Sequence, residues 1–462
     1  MNKLLQGIAE IVGSSGLLTG DDVKARSGDW RGQTNCQALA IVRPASTEEV
    51  SAVMKLCFEA GQAVVTHGGL TGLVQGGAAG PEEIVLSLER MNKIEVVAPL
   101  EATMIVQAGA VLQVVQERAK EEGLMFPLDL GARGSCTIGG NISTNAGGNQ
   151  VIRYGMMRQQ VLGLEAVLAD GTVISSMNSM LKNNAGYDLK QLFIGSEGTL
   201  GLVTRAVLKL QPSCQSENTA LVAVPSFDNL TALWRLMGAQ LGASLSAFEV
   251  MWQNHYRTVA VESGKHTAPM SPDYPLYALI ESNGVDQARD AEQFQQVLEQ
   301  AIEQDLIVDA VLAQSESQRA SLWDIREDIE ALVVALSPLF GFDVSLPMGN
   351  MEEYVNQVES SLQAQWPDKG RCLVFGHIGD GNLHIVLTVG SDSEENRQQV
   401  NQLIYSPLQA FGGSVSAEHG IGLDKRDYLS LSRTPQEIDL MRTLKRALDP
   451  KNILNPGKIF DL

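Results

Sequence analysis

A chain of 462 residues with 44% hydrophobic and 19% charged side chains has room for two to three domains and a large core. Its net charge of −20, from 34 Lys and Arg against 54 Asp and Glu, disfavours nucleic acid and anionic membranes as partners. Five widely spaced cysteines (Cys36, Cys57, Cys136, Cys214 and Cys372) with no Cys-x-x-Cys argue against a zinc ribbon or a disulfide framework and fit reduced thiols. No apolar run approaches the length of a bilayer span. The start, Met1-Asn2-Lys3-Leu4-Leu5, begins like a leader, but Gln6 and Glu10 interrupt it and no cleavage site follows. Leu4, Ile8 and Ile11 instead share a helix face, so a soluble, cytoplasmic protein is expected.

Residues 39–67 read strand, helix, strand. Ala40-Ile41-Val42 is apolar, Ser46-Thr47-Glu48-Glu49 is a capping box with Glu49 reaching back, and Val50, Val53, Met54 and Cys57 form one buried face. Gly61 ends the helix and Ala63-Val64-Val65 begins the next strand. The loop Gly68-Gly69-Leu70-Thr71-Gly72-Leu73-Val74-Gln75-Gly76-Gly77 then frees the backbone to wrap an anion with its amides. A flexible surface loop is the alternative. The pattern is neither a Walker loop nor Gly-x-Gly-x-x-Gly, so a P-loop ATPase or a nicotinamide Rossmann enzyme is unsupported. Short strands near Ile84 and Met104 and a helix from Val111 to Lys120 lead to a second cluster. It runs from Pro127 and Leu128 through Ser135, Gly139, Gly140, Asn141, Thr144, Asn145 and Gly147 to Gly148. Surface loops are seldom this long and this poor in charge. The block reads either as a wall packed on a flat ligand or as a buried connection. A third cluster, Gly195-Ser196-Glu197-Gly198-Thr199-Leu200-Gly201, enters the strand Leu202-Val203-Thr204. Three such clusters point to one extended cofactor held by backbone.

Composition shifts near Gln211-Pro212-Ser213, after which strands and helices alternate as α+β, an antiparallel sheet backed by helices. One long helix is expected from Glu316 to about Leu336. Within this region Gly376-His377-Ile378-Gly379-Asp380-Gly381-Asn382-Leu383-His384 reads as strand, turn, strand, because Gly379 and Gly381 oppose a helix. The turn brings two imidazoles together. Glu418 is a candidate third ligand for zinc or another divalent transition metal, and His419 a candidate base. The competing reading has Asp380 and Asn382 shaping a turn and the histidines capping polar ends. A helix from Pro435 to Ala447 and the turn Asn455-Pro456-Gly457 close the chain.

These clusters, in this order and over nearly the whole chain, resemble the FAD-dependent D-2-hydroxyacid dehydrogenases, among them D-2-hydroxyglutarate and D-lactate dehydrogenases. The resemblance implies an FAD domain of the vanillyl-alcohol-oxidase type in two α+β subdomains over 1–212, and a substrate domain over 213–411. A C-terminal segment over 412–462 would return to the flavin. It makes Gly68, Gly69, Leu70, Thr71, Gly72 and Gly76 the pyrophosphate loop. Pro127, Leu128, Ser135, Gly139, Gly140, Asn141, Thr144, Asn145 and Gly147, with Gly198, Gly201, Val203 and Asn455, would line the rest of the FAD. His377, His384 and Glu418 match the metal ligands, His419 the general base, and Arg326 the arginine that grips the substrate carboxylate. By its residues alone Arg326 reads as a helix-surface ion pair, for example with Glu330. Leu70 stands where covalent relatives carry histidine, so non-covalent FAD is expected, and His67 reads as structural.

Three departures concern the substrate pocket, to which Asn382 also belongs. Glu330, Gly341 and Val386 replace the Thr, Lys and Asn of hydroxyglutarate-type members. A second substrate carboxylate beside Glu330 would be repelled. A D-lactate-like or hydrophobic D-2-hydroxyacid is therefore favoured over D-2-hydroxyglutarate. Electrons would pass to an acceptor such as electron-transfer flavoprotein or quinone, and a homodimer is compatible with the family. A non-catalytic flavin-bearing subunit of an oxidase is the reading from another class, and the intact His377, His384, Glu418 and His419 argue against it.

Overall fold

Short apolar runs between Leu17 and Ser87 assemble into a mixed sheet in the computed structural model, which describes residues 3–30, 32 and 34–462. Met1 and Asn2 of the leader-like start lie outside the described residues. The strands β1 (Leu17–Thr19), β2 (Ala40–Val42), β3 (Val64–His67) and β4 (Ile84–Ser87) lie in the order β1-β2-β4-β3. β2 and β3 are parallel to β4, and β1 is antiparallel to β2. Helix Thr47–Ala60 makes the crossover, with Val50, Val53, Met54 and Cys57 fully buried. Burial of the first three contributes roughly 1.5–3 kcal/mol each. Ser46 caps the helix by accepting from Glu49 N–H, but Glu49 reaches one residue further back than a capping box requires, to Ala45 N–H at 2.8 Å. The N-terminal helix Lys3–Val12 buries Leu5, Ile8 and Val12, with Leu4 and Ile11 flanking them.

A second, antiparallel sheet contains β5 (Ile94–Ala98), β6 (Thr103–Gln107), β7 (Val161–Val167), β8 (Val173–Ser176) and β9 (Leu202–Lys209), in the order β5-β6-β9-β7-β8. Both sheets share one hydrophobic core. The Pro127–Gly148 block, legible only as a wall or a connection, contains the helix Ile138–Thr144. Its glycines hide it from propensity. Tertiary bonds override that preference. Thr137 caps it, and its first N–H groups, which have no partner inside a helix, donate to Ala110 O (2.9 Å) and Ala108 O (2.7 Å).

The chain divides into two compact units. One comprises the segments up to Gly148, Gly155–Ser213 and Glu418–Leu462; the other comprises Asn149–Tyr154 and Cys214–Ala417. The second unit therefore continues past the sequence-expected limit at 411. It is built on seven antiparallel strands: β10 (Ser216–Val224), β11 (Leu245–Trp252), β12 (Leu276–Gly284), β13 (Asp309–Leu312), β14 (Phe340–Ser345), β15 (Arg371–His377) and β16 (Asn382–Thr388). Their order is β13-β10-β12-β11-β15-β16-β14. The expected long helix is two, Glu316–Glu327 and Ile329–Leu336. Asp328 breaks it at ψ 75°, and its carboxylate accepts from Ala331 N–H at 2.9 Å to start the second helix. The break leaves Arg326 in a last turn. Leu322, Ile325, Leu332 and Leu336 cover one sheet face, against Leu279, Leu373 and Phe375.

The C-terminal helix Pro435–Leu448 belongs to the first unit and starts with a reciprocal Thr434/Glu437 box. The tail behind it runs beside β3, with Val64 N–H on Ile453 O (2.7 Å) and Asn455 N–H on Val64 O (2.9 Å). It covers an exposed sheet edge. Lys445 holds the tail through a buried ammonium that donates to Thr199 O (2.9 Å), Leu454 O (2.7 Å) and Asp449 (2.6 Å). Among the described residues no helix is long and apolar enough to cross a membrane, and none of the five cysteines forms a disulfide. Lys445→Met leaves the Asp449 carboxylate buried without its cation. The expected loss is about 3–5 kcal/mol of stability, read as a lower urea midpoint at an unchanged m-value.

Candidate active site

In the first unit β3 ends at His67 and the glycine loop begins. Among the described residues no backbone N–H from Gly68 to Gly77 donates a hydrogen bond. Unused donors in sequence form a concavity that an anion satisfies. Leu70 and Gln75 hold φ at 54° and 58°, which turns successive amides toward one side. Buried His67 closes the loop at its base, with Nε2 2.7 Å from Gly77 O, and burial lowers its pKa. The loop lies on the second cluster. A Cβ on Gly69 would run into the Ser135 carbonyl, and one on Gly68 would meet Thr137 Oγ1. Thr71, Gly72 and Gly76 are partly or fully exposed on the loop, whereas Pro127, Leu128, Gly139, Asn141, Gly147, Gly198, Gly201 and Val203 are buried.

Several side chains expected to line a cofactor hold the protein itself. Thr144 Oγ1 donates to Gly140 O, and Asn145, at φ 51°, ends the helix and accepts from Arg158 N–H at 2.9 Å. Asn455 accepts from Thr66 N–H (2.8 Å) and donates to Thr66 Oγ1 (3.1 Å) and Glu197 O (2.6 Å). Its amide braces the tail against β3 and the third glycine cluster, with both N–H donors already committed. Glu197 continues that brace, its carboxylate accepting from Ile421 N–H (2.7 Å) and Gly422 N–H (2.8 Å), while burial raises its pKa. Glu418 accepts from Gly148 N–H at 2.7 Å and packs so closely on Gly147 that a Cβ there would collide with its carboxylate. The stretch Glu418–His419 is thus held at both ends.

In the second unit β15 ends at His377, a short turn passes Gly381 at φ 90°, and β16 starts at Asn382. Phe375 pairs with His384, so the two histidines share one sheet face, with ring centroids 5.2 Å apart. Register brings Glu249 on β11 opposite His377, and Asp343 on β14 opposite His384. Glu249 Oε1 lies 2.6 Å from His377 Nδ1, and Glu249 Oε2 accepts from Arg326 Nε (3.0 Å) and Nη2 (2.7 Å). The Arg326 guanidinium also covers the Phe375 ring at 4.5 Å. Burial pushes the Glu249 pKa up, but the charges and hydrogen bonds of His377 and Arg326 outweigh it and hold the pKa below the ordinary value. Asp343 Oδ1 is 4.0 Å from His384 Nδ1, and Oδ2 accepts from Ser416 Oγ (3.1 Å) and Ala417 N–H (3.0 Å). Two imidazoles backed by carboxylates are the donor chemistry of a divalent transition-metal site.

Arg326 is therefore not the surface partner of Glu330. It is 5% exposed and bound to Glu249. Glu330 is 78% exposed and lies 2.7 Å from Lys265 Nζ. Its charge is matched in a high dielectric, which weakens the repulsion it would exert on a second substrate carboxylate. Gly341 faces open space, and Val386 packs with Leu373 and Phe375. Asn382 is 3% exposed, and its amide nitrogen and oxygen have no partner among the described residues. A buried amide in that state is a ligand-binding signal. Glu249 was missed, although a carboxylate inside the apolar run Leu245-Ser246-Ala247-Phe248-Glu249-Val250-Met251 is itself a signal.

Comparison with known proteins agrees with both halves. A family model described as an FAD binding domain matches residues 38–176, and one for the C-terminal domain of FAD linked oxidases matches residues 214–459. A D-2-hydroxyglutarate dehydrogenase of Xanthomonas citri pv. viticola is 42% identical over 445 residues, covering 95% of this chain and 93% of that one. The mitochondrial D-2-hydroxyglutarate dehydrogenase of Bos taurus is 39% identical over 432 residues, covering 94% and 78%. Among solved structures, p-cresol methylhydroxylase with substrate bound gives a TM-score of 0.78 at 18% identity, covering 100% of this chain and 97% of that one. Alkyldihydroxyacetonephosphate synthase gives 0.77 at 18%, covering 99% and 86%. These two share the fold, which is of the vanillyl-alcohol-oxidase type. The loop with unused amides fits the pyrophosphate of FAD. Gly69→Ala, which pushes the loop off Ser135, is expected to lower the flavin-to-protein ratio by at least half with an unchanged far-UV circular dichroism spectrum.

Proposed function

The chain belongs to the FAD-linked oxidases, and within them to the FAD-dependent D-2-hydroxyacid dehydrogenases; we propose that it oxidises a D-2-hydroxyacid to the 2-oxoacid with FAD and a divalent metal. The observation that carries this reading is the row Glu249, His377 and His384 on one sheet face, with Arg326 reaching Glu249 from the helix that covers it. When bound, FAD supplies at N5 the acceptor for the hydride leaving C2, and the metal supplies Lewis acidity at the 2-hydroxyl.

The chain's own residues do the rest. His377 and His384 hold the metal, with Glu418 as third ligand. The bond from Ala417 N–H to Asp343 tethers the chain one residue before Glu418 and supports that assignment. Arg326 takes the substrate carboxylate on the guanidinium edge that Glu249 leaves open. Asn382, whose amide atoms have no partner among the described residues, hydrogen-bonds the substrate. His419 accepts the hydroxyl proton at an imidazole nitrogen. The loop Gly68–Gly77 holds the pyrophosphate, without a covalent link because Leu70 offers no nucleophile. In the domain assignment that follows, the first unit binds flavin and the second binds substrate.

For the substrate side chain, open space at Gly341 and the apolar Val386, Leu373 and Phe375 favour a short or hydrophobic D-2-hydroxyacid. D-2-hydroxyglutarate is the second reading, favoured by the relatives at about 40% identity and by the pairing of Glu330 with Lys265. The wide and unpaired spacing of the cysteines in the sequence fits a reducing compartment such as the cytoplasm. The reduced flavin would pass its electrons to electron-transfer flavoprotein or a quinone.

Anaerobic flavin bleaching against a panel of hydroxyacids tests the substrate reading. D-lactate and longer apolar D-acids are expected to bleach faster than D-2-hydroxyglutarate; the reverse order establishes the second reading. His419→Ala is expected to slow bleaching by about 10²–10⁴-fold, while an unchanged rate would point to a non-catalytic flavin subunit.

A further inference from the structure

We infer that Glu249 is a positioning residue that orders two functional groups at once, the metal-binding imidazole of His377 and the substrate-binding guanidinium of Arg326. This rests on the proposed roles of His377 and Arg326. Glu249 is 1% exposed and lies directly across from His377 in the β11–β15 ladder. The 2.6 Å contact sets a carboxylate oxygen against His377 Nδ1, which makes Nδ1 the hydrogen-bearing nitrogen and Nε2 the ligating one. The other oxygen takes two donors from one edge of Arg326, Nε and Nη2, while Nη1 has no partner among the described residues. The Phe375 ring fixes the guanidinium plane at 4.5 Å. Glu249 therefore presents the second edge of Arg326 to an incoming carboxylate instead of competing for it. Phe375 also lies 5.1 Å from the His384 ring, so the two binding functions share one wall.

The test uses the full-length flavoprotein, stripped of metal and titrated with Zn2+ against a metallochromic chelator, together with KM and kcat for the best hydroxyacid of the panel. His377→Ala is expected to lose zinc and Arg326→Ala to raise KM with zinc affinity unchanged. Glu249→Gln is expected to do both, with zinc affinity down about 10–100-fold, KM raised by at least tenfold, and flavin content unchanged. Glu249→Asp, which keeps the charge but shortens the reach, is expected to fall between wild type and Glu249→Gln on both measures. It also serves should the glutamine variant not fold. Wild-type zinc affinity and KM in the Glu249 variants, beside losses in His377→Ala and Arg326→Ala, overturn this inference alone. A shift in only one measure overturns the double role. A wild-type protein that binds no zinc overturns the metal reading and this inference with it.

Discussion

A carboxylate taken out of water into the middle of an antiparallel sheet is tolerated only when its charge is answered on the spot. Glu249 meets that condition with a donor on each oxygen, the His377 imidazole on one and the Arg326 guanidinium on the other. The geometry of the second unit follows from it. β11 must sit beside β15 in a register that pairs Glu249 with His377, and the helix Glu316–Glu327 must end where Arg326 reaches the sheet. Asp328 enforces that end by starting a new helix. A neighbouring histidine, His255, is fully buried on the Phe375 ring, and burial with the nearby Arg326 charge lowers its pKa to about 3. It stays neutral and adds no further charge to the cluster.

The first unit solves a different problem. A loop with a run of unused amides is unstable unless something else holds its shape. Here the supports are outside the loop: His67 at its base, the Ser135–Gly140 backbone beneath it, and the C-terminal tail. Lys458 Nζ donates to Ala78 O at 2.9 Å, and Leu423 N–H donates to Val74 O at 2.9 Å. The same tail segment begins with Glu418 and His419, bound to Gly148 and, through Glu197, to the third glycine cluster. Anion loop and candidate base thus depend on one network of backbone bonds, which explains the glycines at the crossing points.

Much of this was legible in the amino-acid sequence. The crossover helix with Val50, Val53, Met54 and Cys57, the strand–turn–strand at His377 to His384 and the antiparallel α+β class all follow from period, glycine position and capping. The resemblance to FAD-dependent D-2-hydroxyacid dehydrogenases is matched by the family comparisons. Three features were not legible, each for a physical reason. The helix Ile138–Thr144 is made by tertiary acceptors at Ala108 and Ala110 that no local pattern reveals. The direction of Glu330 depended on Lys265, 65 residues away in the chain. Asn455 looks like a ligand contact by motif, and its amide also holds Thr66 and the Glu197 carbonyl, acceptors and donors far away in the chain. Glu249 was readable as a charge in an apolar strand, but its partners were not, because they come from two other elements.

The central claim is that a metal held by His377 and His384 and a flavin held by the first unit act on the same D-2-hydroxyacid. Stopped-flow anaerobic flavin reduction by D-lactate, in protein stripped by chelator and then resupplied with zinc, tests it most directly. The account predicts that stripping abolishes reduction, that zinc restores it, and that L-lactate is inert throughout. Full-speed reduction in the stripped protein, or equal rates with both enantiomers, would contradict it.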